Sequence, residues 1–169
     1  RQILGDAAPV VVTTLHGTDI TLVGQEAAYA DVVRCAIEQS DGVTAVSRWL
    51  KDRTREDFGA ATDIDVIPNF VDPTVFDPAR RDPARRRLWA GDDEQLVVHV
   101  SNYRPVKRVL DAVAAFDVIR REAPARLLLV GTGPDLVPAV ERAAALGCGD
   151  RVQDLGEARD VENCLAQAD

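Results

Sequence analysis

The sequence predicts an α/β protein in which parallel sheets are covered by helices and the chain is shared between two lobes. Three observations predict it. Short aliphatic runs alternate with stretches whose apolar residues recur at helical spacing, along all 169 residues. The strand-like runs are almost continuously apolar, as strands buried on both faces are. Three prolines within eleven residues, Pro68, Pro73 and Pro78, then interrupt the alternation and mark a linker or hinge. The charge balance changes at the same place. Residues 1–72 carry 6 basic and 12 acidic side chains, and residues 73–169 carry 14 and 16. The lobes are therefore placed at 1–72 and 73–169.

Taken in order, residues 9–14 are a β-branched run long enough for a buried parallel strand. A polar loop, His16-Gly17-Thr18-Asp19, follows it. Residues 26–39 are helical, with Tyr29, Val32, Val33, Ala36 and Ile37 on one face. Residues 42–46 form a strand, and Ser47 caps a helix running to about Phe58. Residues 64–67 form a strand that Pro68 stops, since proline cannot donate to a ladder. Beyond the linker come a helix at 82–89, a strand at 95–100 and a helix at 106–122. The last of these turns Val106, Val109, Leu110, Val113 and Phe116 inward. A strand at 126–130, the glycine turn 131–134, a helix at 135–146, a strand at 151–155 and a helix from about Asp160 complete the order.

Composition narrows the function classes. The net charge of −8 argues against nucleic-acid binding by bulk positive charge. No run approaches the roughly 18 apolar residues of a membrane span. Cys35, Cys148 and Cys164 are far apart and form no CxxC, so neither a disulfide framework nor a zinc site is indicated, and a cytoplasmic location is expected. The chain begins with Arg1 and stops at Asp169 without a closing element, and it reads as an internal piece of a longer protein.

Ligands of open parallel sheets bind beyond the carboxyl ends of the strands, and three loops leave such ends with useful chemistry. His16-Gly17-Thr18-Asp19 combines an imidazole, a flexible glycine, a hydroxyl and a carboxylate; the alternative is a turn in which Thr18 or Asp19 caps the next segment. Ser101-Asn-Tyr-Arg-Pro-Val-Lys-Arg108 gathers three cations where a helix begins. There they oppose the helix dipole unless an anion is bound; the alternative is a solvated basic rim. Gly131-Thr-Gly-Pro134 lacks the third glycine of a dinucleotide fingerprint and the Lys-Ser/Thr of a P-loop.

Other features carry less. Asp63-Ile-Asp65 has DxD spacing but leads into a strand, so a metal role is not expected of it. Arg80, Arg81, Arg85, Arg86 and Arg87 read as a solvated helix face, and His99 as a hydrogen-bonded core residue. No HExxH, GxSxG or GxGxxG is present, which removes support for zinc proteolysis, nucleophile-elbow hydrolysis and dinucleotide oxidoreduction.

Several segments together resemble the retaining, two-lobed (GT-B) glycosyltransferases that use nucleotide sugars. They are Ala45-Val-Ser47, Ile67-Pro-Asn-Phe-Val-Asp72, Val130-Gly-Thr-Gly-Pro-Asp135, and Leu155-Gly156 ahead of a helix ending in Ala168-Asp169. Thr14-Leu-His-Gly-Thr-Asp-Ile-Thr21 and Val100-Ser-Asn-Tyr-Arg-Pro-Val-Lys-Arg108 are similar to the subgroup that joins N-acetylglucosamine to L-malate at the start of bacillithiol biosynthesis.

The resemblance implies two Rossmann-like lobes, both incomplete here. Residues 1–72 would be the later part of an acceptor-side lobe, and residues 73–169 the first part of the nucleotide-sugar donor lobe. It implies transfer from UDP-GlcNAc to a small anionic acceptor such as L-malate, without a metal or other cofactor. His16 would be the catalytic residue near the donor sugar. Ser101, Asn102, Arg104, Lys107, Gly131 and Gly133 would hold the donor diphosphate and nucleotide, and Thr14 and Arg104 the acceptor. Many relatives have an arginine five residues before the lysine. This chain has Asn102 there and Arg104 two positions later, which leaves Arg104 shared between phosphate and acceptor carboxylate. Further site residues would lie outside residues 1–169, so this stretch alone is expected to turn over little. Another sugar transferase of the same fold, of mycothiol or cell-envelope type, and a non-catalytic nucleotide-sugar-binding module are the alternatives. Assembly into a homo-oligomer is left open.

Overall fold

Parallel ladders form where the sequence places its aliphatic runs. The computed structural model describes residues 7–169, and the chain falls into two units that part between Phe70 and Val71, inside the proline-rich segment. Each unit holds a three-stranded parallel sheet among the described residues.

In the first unit β1 (Val12–Leu15), β2 (Gly42–Ala45) and β3 (Ile64–Val66) pair in that order, with Val12 opposite Gly42 and Val43 opposite Ile64. The first strand starts later than expected. The Asp41 carboxylate accepts the Val11 N–H at 2.9 Å, which closes the ladder there, and Val10 and Val11 lie exposed. Helices α1 (Thr18–Thr21), α2 (Ala27–Glu38) and α3 (Arg48–Phe58) cover a core of Leu15, Ile20, Ile37, Val43, Leu50, Phe58 and Ile64. Ser47 caps α3 as expected, its Oγ accepting the Leu50 N–H at 3.1 Å.

The inward face of α2 differs from the expected one. Ala30, Val33 and Ile37 meet the core, whereas Tyr29, Val32 and Ala36 are exposed. One position along a helix turns the stripe by about 100°. Val33 and Ile37 belong to both stripes, so spacing alone cannot separate them.

In the second unit β4 (Gln95–Val100), β5 (Ala125–Val130) and β6 (Val152–Asp154) pair in order, with Gln95 opposite Ala125 and Leu127 opposite Val152. Successive side chains of β5 enter two cores. Leu127 and Leu129 pack with Val109, Val113 and Phe116 of α5 (Val109–Glu122) and with Ala139 and Ala143 of α6 (Leu136–Ala145). Leu128 and Val130 pack with Leu96, Ala90 and Cys164, the last from α7 (Val161–Leu165). Both faces of the sheet are therefore covered, the arrangement an uninterrupted apolar strand requires.

Two helices here are shorter than expected. Pro105–Lys107 is a 3₁₀ turn and Arg108 adopts a left-handed conformation (φ 52°), so α5 starts at Val109. Val106 then falls out of phase with the helix and is exposed. The helix expected at 82–89 contracts to α4 (Pro83–Arg86), because the backbone beyond it tightens into bonds from Leu88 N–H to Arg85 O and from Trp89 N–H to Arg86 O.

The arginine run is a solvated face only in part: Arg80, Arg81 and Arg87 are exposed, while Arg85 and Arg86 are half-buried. Arg81 and Arg86 both bind the Asp169 carboxylate, at 2.5 and 2.6 Å, Arg85 pairs with Asp160, and Arg87 pairs with Asp92 at 2.9 Å. Asp169 also accepts the Leu96 N–H at 2.9 Å, and the buried Gln167 accepts the Asp82 N–H at 2.8 Å. The run thus clasps residues 78–87 onto residues 160–169. Burial would raise the Asp169 carboxyl, but Arg81, the Leu96 amide and Arg86 outweigh it and hold the group at about 2. A depressed native pKa stabilises fully above the unfolded value near 3.8 and is lost as pH falls toward 2. Urea denaturation of Asp169→Asn at pH 7 is expected to show a loss of about 2 kcal/mol that shrinks between pH 4 and pH 2. A loss of equal size at pH 7 and at pH 2 would contradict the clasp.

Candidate functional site

In a parallel sheet every strand ends at the same edge, so the loops after β4, β5 and β6 meet beyond Val100, Val130 and Asp154. Main-chain bonds lock them together. Ser101 N–H donates to Val130 O at 3.1 Å, Gly131 N–H to Gly156 O at 2.7 Å, and Asp135 N–H to Tyr103 O at 2.9 Å. The glycine turn owes its composition to this closeness. A Cβ on Gly131 (φ 120°) would lie 2.0 Å from Ser101 O, and one on Gly133 would lie 2.0 Å from Asn102 O. Two backbones touch here without side chains between them, which is what brings the Ser101–Lys107 loop against the second strand end.

The cationic loop sits on an aromatic base. Tyr103 is fully buried, while Asn102, Arg104, Pro105, Val106, Lys107 and Arg108 around it are exposed. Its ring stacks on His99 with centroids 5.7 Å apart, and its hydroxyl donates to His99 O at 3.1 Å. Ser101 Oγ accepts the Tyr103 N–H at 3.1 Å. Burial, helped by the Asp154 carboxylate, pushes the phenol well above its ordinary range, and burial lowers the His99 imidazole. Both rings are therefore neutral at pH 7 beneath the cations. His99 differs from expectation: its Nε2 is buried and has no hydrogen-bond partner among the described residues, and its ring stacks with that of Tyr103 instead.

The structure separates the three cations. Arg108 pairs with Asp111 in the first turn of α5, which relieves the conflict of its charge with the helix dipole. Arg104 and Lys107 are exposed and have no ion pair among the described residues. Elsewhere in the unit Arg81, Arg85, Arg86, Arg120 and Arg126 are matched to carboxylates, while Arg80 and Arg142, away from this edge, have no ion pair among the described residues. A cleft of about 440 Å³ opens at this edge, lined by Val100, Ser101, Val130, Gly131, Glu157, Ala158, Arg159 and Val161. Arg159 also has no ion pair, and Glu157 Oε1 accepts from the Thr132 hydroxyl at 3.3 Å. Sequence reading passed over Glu157, Arg159 and Tyr103. The glycine at 156, just after a short strand, was the available signal for the third loop at this edge.

The tip of β1 belongs to the first unit. His16 is exposed there, and its loop is shaped by Asp19, whose Oδ1 accepts the Gly17 N–H at 2.8 Å and the His16 N–H at 3.3 Å. The expected alternative, a cap by Thr18 or Asp19, is not formed, since α1 has no side-chain cap at Gly17; the Asp19 carboxylate instead reaches back to the loop and fixes where His16 leaves the strand. Its other oxygen, Oδ2, is buried without a partner. Thr14 Oγ1 accepts from the Thr44 hydroxyl at 2.9 Å across the β1–β2 ladder. Asp63 stands at the start of β3, caps the Ile64 N–H, and pairs with Arg55 at 3.1 Å and Lys51 at 3.6 Å. Its side chain stays exposed at the surface.

The two Rossmann-like units match a known class. Residues 4–75 match the profile of Glycosyltransferase Family 4, and residues 94–169 match Glycosyl transferases group 1. The chain superposes on a glycosyltransferase from Rickettsia africae with a TM-score of 0.72 at 21% identity, covering 94% of this chain and 43% of that one. It superposes on Anabaena HepE in complex with UDP and glucose with a TM-score of 0.69 at 21% identity, covering 94% and 44%. The chain belongs to the glycosyltransferases of GT-B architecture. Over all 169 residues it is 39% identical to the N-acetyl-alpha-D-glucosaminyl L-malate synthase of Bacillus anthracis, of which it covers 44%. The chain thus spans less than half the length of that relative.

Proposed function

We propose that the protein is a retaining glycosyltransferase that moves N-acetylglucosamine from UDP-GlcNAc to the hydroxyl of L-malate. Two cations left unpaired at the carboxyl end of β4, Arg104 and Lys107, are the observation that carries the reading. In the reaction the bond from the sugar C1 to the phosphate oxygen breaks, and a bond from C1 to the malate oxygen forms. The malate proton passes to the departing phosphate. UDP leaves as an oxyanion, and fixed cations stabilise the charge as it develops. Lys107 fills that role, with the main chain of Ser101, Asn102, Gly131 and Gly133 placed to approach the diphosphate and nucleotide closely. Arg104 serves the boundary between phosphate and an acceptor carboxylate. Thr14 contributes to the acceptor, and His16 acts at the reacting sugar. No metal or other cofactor enters the reading, as the resemblance to the family implies.

The acceptor is supported by the 39% identity to a protein named for GlcNAc and L-malate. The test uses the protein as its gene encodes it, given UDP-GlcNAc with and without L-malate. UDP release that requires malate, a GlcNAc-malate product with the donor's anomeric configuration, and indifference to EDTA are expected. Release with another acceptor but not with malate would overturn the acceptor while keeping the transfer chemistry. UDP binding with no transfer to any acceptor would make the protein a binding module.

A further inference from the structure

We propose that Tyr103 is the positioning residue of the nucleotide site, holding Arg104 and Lys107 at the carboxyl edge of the second sheet through its ring. The inference rests on the nucleotide-sugar reading above, but its evidence is separate from that reading. Tyr103 is the one side chain of residues 102–108 that is buried, and it is fully so. Ring, hydroxyl, N–H and C=O of the residue are all engaged. The ring stacks on His99 of β4 and packs with Val109, Val113 and Phe116 of α5. The N–H donates to Ser101 Oγ, the C=O accepts from Asp135 N–H ahead of α6, and a Cβ on Gly133 would come within 3.0 Å of its carbonyl carbon. A left-handed backbone (φ 37°) accompanies these ties, a conformation that a non-glycine residue keeps only when its surroundings fix it.

The consequence concerns the two residues that follow. Arg104 and Lys107 are exposed and have no carboxylate to orient them, so the backbone they hang from must be oriented instead. Arg104 opens the 3₁₀ turn one bond after Tyr103, and Lys107 closes it, its N–H donating to Arg104 O at 2.8 Å. The direction of that turn is set by the anchored ring. The ring, rather than the hydroxyl, makes most of these contacts. Fixing donors before the ligand arrives removes an ordering cost that binding would otherwise bear.

Two variants separate the parts. Tyr103→Phe keeps the ring and loses only the bond to His99 O; Tyr103→Met keeps bulk without a plane to stack. Three readouts are taken on the gene-encoded protein: melting temperature, UDP affinity by calorimetry, and hydrogen exchange of the amides at 104 and 106–108. Tyr103→Met is expected to weaken UDP binding by about 10- to 100-fold and to speed exchange in the turn, while Tyr103→Phe stays near wild type in both. A Tyr103→Met protein that melts lower but binds UDP normally and exchanges normally in the turn would make the residue merely structural and overturn the proposal. Wild-type protein that binds no UDP would overturn the nucleotide reading instead. In that case exchange in the turn still decides whether Tyr103 anchors it.

Discussion

Lys107→Ala is expected to lower kcat/KM for sugar transfer by about 10²- to 10³-fold, with most of the loss in kcat. The charge on the UDP leaving group is small in the bound substrate and full when the bond has broken. A cation fixed beside it therefore stabilises the transition state more than the ground state. Among the described residues Lys107 has no competing carboxylate, so its charge is not already neutralised there. Arg104→Ala distinguishes that residue's two assignments. A raised KM for malate with unchanged UDP affinity assigns it to the acceptor, and the converse assigns it to the diphosphate. If Lys107→Ala retains wild-type kcat while KM alone rises, the residue contributes ground-state binding only and the leaving-group argument fails.

Gly131→Ala is expected to cost about 3 kcal/mol of stability and to abolish tight UDP binding. Its new Cβ would lie 2.0 Å from Ser101 O, and that obstacle is backbone rather than the movable end of a side chain. Either the turn after β5 or the loop after β4 must withdraw, and both border the cleft. Gly147 supplies the control. It also has a positive φ (70°) but nothing within 4 Å of the built Cβ, so Gly147→Ala carries only the conformational cost of about 1 kcal/mol. Urea denaturation of the two variants reads the difference. Equal losses would mean that conformation alone, and not the contact between loops, fixes the glycine.

Part of this was legible in the sequence, for reasons that particular residues make plain. β4 and β5 are apolar without interruption because helices cover both faces, and a run such as Leu-Leu-Leu-Val130 has no other common explanation in a polar chain. Ser47 was readable because capping is local. The stripe of α2 was not, since Tyr29 and Val32 are as apolar as Ala30 and Val33 and only the tertiary structure chooses between them. Val106 defeated the period because Pro105 and the left-handed Arg108 interrupt the helix that the period assumes.

At the site, the cations announced themselves by crowding where a helix begins, but which of them are free did not. Asp111 three residues on neutralises Arg108, whereas Arg104 and Lys107 go unmatched. The arginines at 81 and 86 looked solvated because their partner, Asp169, lies more than eighty residues away in the chain. Tyr103 is the clearest omission. A lone aromatic in a charged loop has no periodic neighbours to mark it as core, yet it is among the largest fully buried side chains.

On this reading the edge beyond β4 and β5 receives a nucleoside diphosphate through Arg104 and Lys107. Calorimetric titration of UDP into the gene-encoded protein tests it most directly, at two salt concentrations, with wild type and the Arg104→Ala/Lys107→Ala double variant. Binding by the wild type is expected to weaken as salt rises, since exposed cations carry it, and the double variant is expected to lose at least about tenfold. UDP binding of equal strength in both proteins, indifferent to salt, would contradict it.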